Sequence, residues 1–439
     1  MVCYVNDRVR VAAVTALTLI SWSCEPQGEG HGGIQRTQLG DTLLVHSRAP
    51  IHTDTATLRE IARIGVGDGA EDQMLNGVSA FTELSDGSIA VADDSGLRRF
   101  SSDGQFVELI ARRGQGPGEI ELVTGMAVTP DGALLASDLG NRRINIYRPG
   151  GALEHWPLPA GTPGYGRNSI VVTPDGAVHV AFNPPPTTAE GTIAFPRPIF
   201  VKLGPIGTPT DTLYADTRFT RQCPTMSSHV WQAGFYEDLR EPYFPKVKWA
   251  LAPTGVLAVG CPAIYSVDLL LRGGSIIRIS RESEPVVVST DERQNFVDHH
   301  TYSRNRTEFF ASWTWEGAPP PERRPAYDRM FFSQDGALWI WPAQPSTRQD
   351  LPEQFIRQGA PRHYYAISMA GAFDVFAATG EYIGAVRLPE NLQYRPFPGS
   401  SDFVVRSDTL WAMANDSLDV PYLTRYVVEW PKASNANGT

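Results

Sequence analysis

The stretch "TPDGALLASDLGNRRINIY", residues 129–147, decides the fold. Pro130-Asp131-Gly132 is a tight polar turn, because glycine takes the positive φ that Asp-Gly hairpin turns need. The run Ala133 to Ser137 is apolar and of strand length. Asp138-Leu139-Gly140-Asn141 turns the chain again. Arg143 to Tyr147 then alternates polar and apolar side chains, as a half-buried strand does. The stretch reads as antiparallel strands joined by short turns.

The same turn recurs outward from this point. It stands at Asp86-Gly87, Asp131-Gly132, Asp175-Gly176, Thr254-Gly255 and Asp335-Gly336, with a degenerate sixth copy at Asp408-Thr409. The first three copies are 45 and 44 residues apart, the length of one four-stranded propeller blade. The later spacings of 79, 81 and 73 residues hold one blade plus an insertion. Six anchors give an all-β, six-bladed β-propeller of four-stranded antiparallel blades. The sixth blade has strands at 403–406, 410–414 and 423–430 and then runs out of chain. Thr57 to Ile64 has no blade of its own, so it is expected to supply the missing outer strand and close the ring.

The segment "ARRGQGPGEIELVTGMAVTPDGALLASDLGNRRINIYRPGG", residues 111–151, resembles an NHL repeat. Residues 55–430 as a whole resemble bacterial exported proteins described as six-bladed β-propellers. "PYFPKVKWALAPTGVLAVG" (242–260), "SEPVVVSTDER" and "RRPAYDRMFFSQDGALWIW" (323–341) are matching pieces. The resemblance implies a scaffold and no particular reaction.

Composition agrees with a turn-rich globular chain: 439 residues, with 40 Gly and 35 Pro. The net charge of −10 argues against general nucleic-acid binding, which needs a basic surface. Arg8 and Arg10 precede an apolar run from Val11 to Ile20, the shape of a secretory signal over residues 1–23. The run is too short to span a bilayer. Ser23-Cys24 ends it and resembles a lipobox, which makes Cys24 the expected lipid attachment. The chain is then a cell-envelope lipoprotein, or periplasmic or secreted if it is not lipidated. Any hold on the membrane would run through the lipid alone. Residues 24–54 form an N-terminal extension whose Gly-rich start, Glu25 to Asp41, reads as a flexible tether. The propeller is assigned to 55–431 and a C-terminal tail to 432–439.

Antiparallel blades alternate their connections between two faces of the disc. With strands lettered A to D from the axis outward, the AB and CD turns share one face and are short. The BC loops and the DA crossings share the other. The long segments 183–198, 215–246, 290–328 and 342–371 are BC loops or DA crossings, so all four are expected on one face. Loops on a rigid scaffold are where function concentrates. Cys223 and Cys261 both belong to this face and are expected to pair in an oxidising compartment. Trp231, Tyr236, Trp313 and Trp315 are the candidate ligand contacts there, as an aromatic platform. Packing of these rings onto the disc is the competing reading.

No nucleophile or zinc-protease motif occurs. Asp93, Asp94 and Asp138 are the candidates for Ca²⁺ at the central tunnel, with turn capping as the preferred alternative. His299-His300 reads as two surface or hydrogen-bonded histidines on opposite sides of an extended segment, rather than as a shared metal site. The Gly-rich run 113–119 reads as a blade-to-blade crossing. The functional expectation is a non-enzymatic binding module for an envelope protein, a glycan or a small molecule. The alternative is a metal-dependent hydrolase or lyase, lactonase-like or NHL-type, working at the tunnel.

Overall fold

The structure is a computed structural model. It describes residues 33–431, apart from stretches within 160–169, 184–198, 215–246, 307–318, 369–370, 390–402 and 417–419. Cys24, the signal segment, the C-terminal tail and Trp313 lie outside the described residues.

Six antiparallel blades follow one another. In blade 1, strands A to D are Ala80–Glu83, Ile89–Asp93, Gly96–Phe100 and Phe106–Arg112. In blade 2 they are Val123–Val128, Leu134–Asp138, Arg143–Tyr147 and Leu153–Pro157. Blade 3 uses Ile170–Val172, Val178–Asn183, Ile199–Leu203 and Pro209–Tyr214. Blade 4 uses Lys248–Leu251, Leu257–Gly260, Ser266–Leu270 and Ile276–Arg281. Blade 5 uses Tyr327–Phe332, Leu338–Pro342, Ala372–Phe376 and Tyr382–Arg387. Blade 6 takes Phe403–Arg406, Thr409–Asn415 and Pro421–Glu429 from the C-terminal end, and Thr57–Ile64 as its strand D. Leu58 pairs with Val428 and Ile64 with Leu423, so the ring closes where the sequence places the closure. The recurring glycines do what the turn requires: Gly87, Gly132, Gly176, Gly255 and Gly336 all have φ between 82° and 91° or close to it at 78°.

The core is a series of layers between blades. Strand B is buried along its whole length in blades 1 and 2, because each of its faces meets a neighbouring blade. One apolar cluster joins blades 6, 1 and 2 through Trp411, Leu423, Leu97, Phe100 and Met126. Others join blades 2 to 3, 3 to 4, 4 to 5 and 5 to 6.

The N-terminal extension departs from expectation. From Gly33 onward it is a strap bound to the rim of three blades, not a tether. Ile34–Leu39 and Thr42–Ser47 form a hairpin, and its second strand runs parallel to Ile276–Arg281, making blade 4 six-stranded. The strap then follows strand D of blade 5. The N–H groups of Ile51, His52 and Ala56 donate to the carbonyls of Tyr382, Ile383 and Ala385 at 2.8–2.9 Å. It ends as strand D of blade 6. The physical reason is apolar burial, which the Gly-rich start of the extension concealed. Ile34, Val45, Ala56 and Ile64 are all buried against the disc.

A candidate binding face built from the insertions

The sequence places four insertions on the BC/DA face, and the described parts of them are ordered elements. They comprise a hairpin within 187–194 and a second within 229–238. Helix α1, Thr290–Asn305, and a third hairpin, Ser346–Asp350 with His363–Ile367, complete the set.

Helix α1 was not expected, though its signal is legible. Ser289-Thr290-Asp291-Glu292 has the form of a capping box. The Ser289 hydroxyl accepts the Glu292 N–H at 3.1 Å, and Asp291 and Glu292 put negative charge at the positive end of the helix dipole. His299 and His300 therefore sit on a helix rather than on an extended segment, which corrects the assumed strand geometry. His299 donates from Nε2 to the His363 carbonyl at 2.6 Å. His300 packs against Phe296 and Trp315, and burial lowers its pKa.

The buried side of α1 is polar, with Glu292 and Asn295 its buried residues. Buried polar groups must find partners, and those partners fasten the insertions together. The Glu292 carboxylate accepts the Tyr243 hydroxyl at 2.9 Å and pairs with Arg324, whose guanidinium lies over the Tyr243 ring. This joins the 215–246 crossing to the helix and to the approach to blade 5. Burial and the adjacent carboxylate push the Tyr243 hydroxyl pKa up. Asn295 donates to the His363 carbonyl at 2.9 Å, and Tyr365 donates to Asp291. The latter bond lowers the Asp291 pKa, and His363 Nε2 stands 3.4 Å from the same carboxylate. The helix and the third hairpin thus form one unit. Cys223 and Cys261 are joined by a disulfide with Cα atoms 5.4 Å apart, tying the crossing to the end of strand B in blade 4.

Of the four candidate aromatics, Trp315 is half-buried against Phe296 and His300. Trp231 and Tyr236 are register partners in the second hairpin, and their side chains lie outside the described residues. The third hairpin exposes Tyr364 (42%) and Ile367 (49%), which the sequence reading did not single out.

The repeated aspartates are occupied. Asp93 accepts the N–H groups of Ser95 and Asn76 and pairs with Arg98. Arg98 also donates to the carbonyls of Glu71, Asp72 and Met74, pinning the chain that enters blade 1. Burial raises the Asp93 pKa despite these donors. Asp138 accepts from the N–H groups of Glu121 and Leu122 and from Asn141 Nδ2. Arg143 reaches the carbonyls of Gly116 and Glu119. The Gly-rich run is held by blade 2 as a crossing. Asp94 is exposed and pairs with Arg113. Among the described residues no group of three or more His, Cys, Asp or Glu side chains could hold a metal ion.

The opposite face carries an axial cavity of about 300 Å³, lined by the ends of the A strands of all six blades. Phe81, Met126, Ile170, Leu251, Phe332 and Val404 are its apolar lining, and Thr82, Thr129, Thr173 and Gln334 are among its polar lining. Glu83 and Arg406 are its charged lining residues, 3.4 Å apart. Glu83 is 4% exposed, its Oε2 has no hydrogen-bond partner, and burial raises its pKa. Nothing in the sequence pattern marks it.

No protein-family model and no curated protein sequence matches the chain. Solved structures do. A DUF4221-family member from Bacteroides vulgatus aligns with TM-score 0.46 and 11% identity over 85% of this chain and 98% of its own. A Bacteroides fragilis protein designated as exported aligns with TM-score 0.45 and 12% identity, covering 89% and 100%. Virginiamycin B lyase from Staphylococcus aureus aligns with TM-score 0.38 and 11% identity, covering 85% and 99%.

Proposed function

We propose that this chain is exported, anchored through a lipid on Cys24, and acts as a non-enzymatic binding module whose insertion-bearing face holds a ligand or protein of the cell envelope. One observation carries the reading. The four insertions lie on one face, and three of them are locked to each other or to the disc by buried polar contacts and a disulfide, while the other face has tight turns. A face stiffened in this way loses little entropy on binding. Tyr364 and Ile367 offer the described apolar contacts. Trp231, Tyr236, Trp313 and Trp315 complete the proposed contact set.

The test is site-specific photo-crosslinking in intact cells. A benzoylphenylalanine at position 364 or 367 should give a discrete adduct, and one at Val107, on the rim of blade 1, should give none. Adducts from Val107 and none from the insertions would refute the proposal. A stoichiometric Ca²⁺ or Zn²⁺ in protein purified without chelator would overturn it in favour of a metal-dependent hydrolase or lyase.

A further inference from the structure

The strap creates a second cavity, of about 280 Å³, where it passes from blade 4 to blade 5. Its fixed point is Arg281, at the end of strand D in blade 4. The guanidinium lies over the rings of Tyr265 and Tyr382, 5.0 and 4.8 Å from their centroids. Its Nη1 donates to Asp374 Oδ1 at 2.8 Å. Asp374 in turn accepts both tyrosine hydroxyls, at 2.5 and 2.7 Å. This quartet holds the arginine head in place. Its Nε is buried and has no hydrogen-bond partner among the described residues. Asp374 offsets part of the positive charge, so the cavity floor presents a held, partly neutralised guanidinium rather than a bare cation.

The walls carry charge of both signs. Arg48 and Asp54 come from the strap and Glu282 follows Arg281, and all three are exposed. No ion pair is formed by Arg48, Asp54 or Glu282 with any described residue. Opposite charges near one another at a surface attract. Here they line one small cavity without closing on each other. The arrangement matches a molecule that carries both charges itself.

We propose that this cavity binds a free α-amino acid as its zwitterion. The carboxylate would meet Arg281 and Arg48, and the ammonium would meet Asp54 and Glu282. The volume lies at the small end of ligand pockets, which suits a molecule of this size. The site lies at the rim, where strand D of blade 4 ends, and it exists because the strap brings Arg48 and Asp54 there.

Calorimetric titration of the whole purified protein with L-alanine tests the proposal, with acetate and methylamine as single-charge probes. Alanine should bind, and each single-charge probe should bind at least about tenfold more weakly, a difference of about 1.4 kcal/mol. Arg48→Gln and Glu282→Gln should each weaken alanine by a similar factor while the unfolding midpoint stays unchanged, since both side chains are exposed. Three results would overturn it: no heat with glycine, alanine, leucine or glutamate up to about 10 mM, a weak-affinity ceiling; acetate binding as well as alanine; or both variants binding as the parent does.

Discussion

Val45 offers the sharpest test of the strap. It lies in the second strand of the N-terminal hairpin, fully buried in the layer between blades 4 and 5. Gly380, at the turn before strand D of blade 5, packs against it: a β-carbon there would lie 3.3 Å from Val45 Cγ2 and 3.0 Å from Ile277 Cγ2. Val45→Ala removes two buried methyl groups. Transfer at about 0.8 kcal/mol per group gives about 1.6 kcal/mol. The cavity left behind adds a further ~1 kcal/mol, because β-sheet backbone on both sides limits collapse. The expected loss is therefore about 2–3 kcal/mol. Urea unfolding followed by tryptophan fluorescence measures it, with Val107→Ala as the control. Val107 is 49% exposed on the rim of blade 1 and should cost under about 0.5 kcal/mol. If the two variants unfold alike, the strap is not part of the core, and the reading of residues 33–56 as structural is wrong.

Other outcomes follow from the same geometry. Burial raises the Glu83 pKa, so the folded state binds its proton more tightly than the unfolded chain does. Its contribution is full below the unfolded pKa and declines as pH rises through the folded value; the loss of stability between pH 5 and 8, read from urea midpoints, should be smaller in Glu83→Gln than in the parent. Reduction of Cys223–Cys261, which spans 38 residues, should cost about 3–4 kcal/mol, and thiol titration of the unreduced, unfolded chain should find neither cysteine free. Cys24→Ala should move the protein from the membrane to the soluble fraction; unchanged partitioning would refute lipidation.

The blades were legible because a propeller repeats. Five of the six turns place a glycine at positive φ, and the spacing of all six counts the blades. The ring closure was legible too, since blade 6 lacked a strand and Thr57–Ile64 lacked a blade. The face that carries the insertions followed from the antiparallel order alone. The strap was not legible. Val45 and Ala56 are buried by partners more than 200 residues away, and the local composition, rich in Gly and polar residues, pointed to a tether. Helix α1 was missed because its inward side is polar. Glu292 and Asn295 are buried through hydrogen bonds, so no apolar stripe marks the helix, and only the capping box at Ser289 betrays it. The Arg281 quartet was invisible for a similar reason. Its members lie in or beside strands C and D of two blades, and no linear spacing joins Tyr265 to Asp374.

The strap also sets an order of assembly. Its residues are made before any of their partners. The hairpin waits for Ile276–Arg281, the middle section for Tyr382–Arg387, and Thr57–Ile64 for Pro421–Glu429. At a synthesis rate of about 5–20 residues per second, the last wait is roughly 20–70 s. Through that interval the closing strand has an unpaired edge in an unfinished ring. Arg59, Glu60 and Arg63 lie along it, charges of the kind that keep an open strand from pairing with a neighbouring chain. In chain order the strap's partners thus become available in three steps, blade 4 first and blade 6 last, and Pro421–Glu429 complete the ring by pairing with Thr57–Ile64.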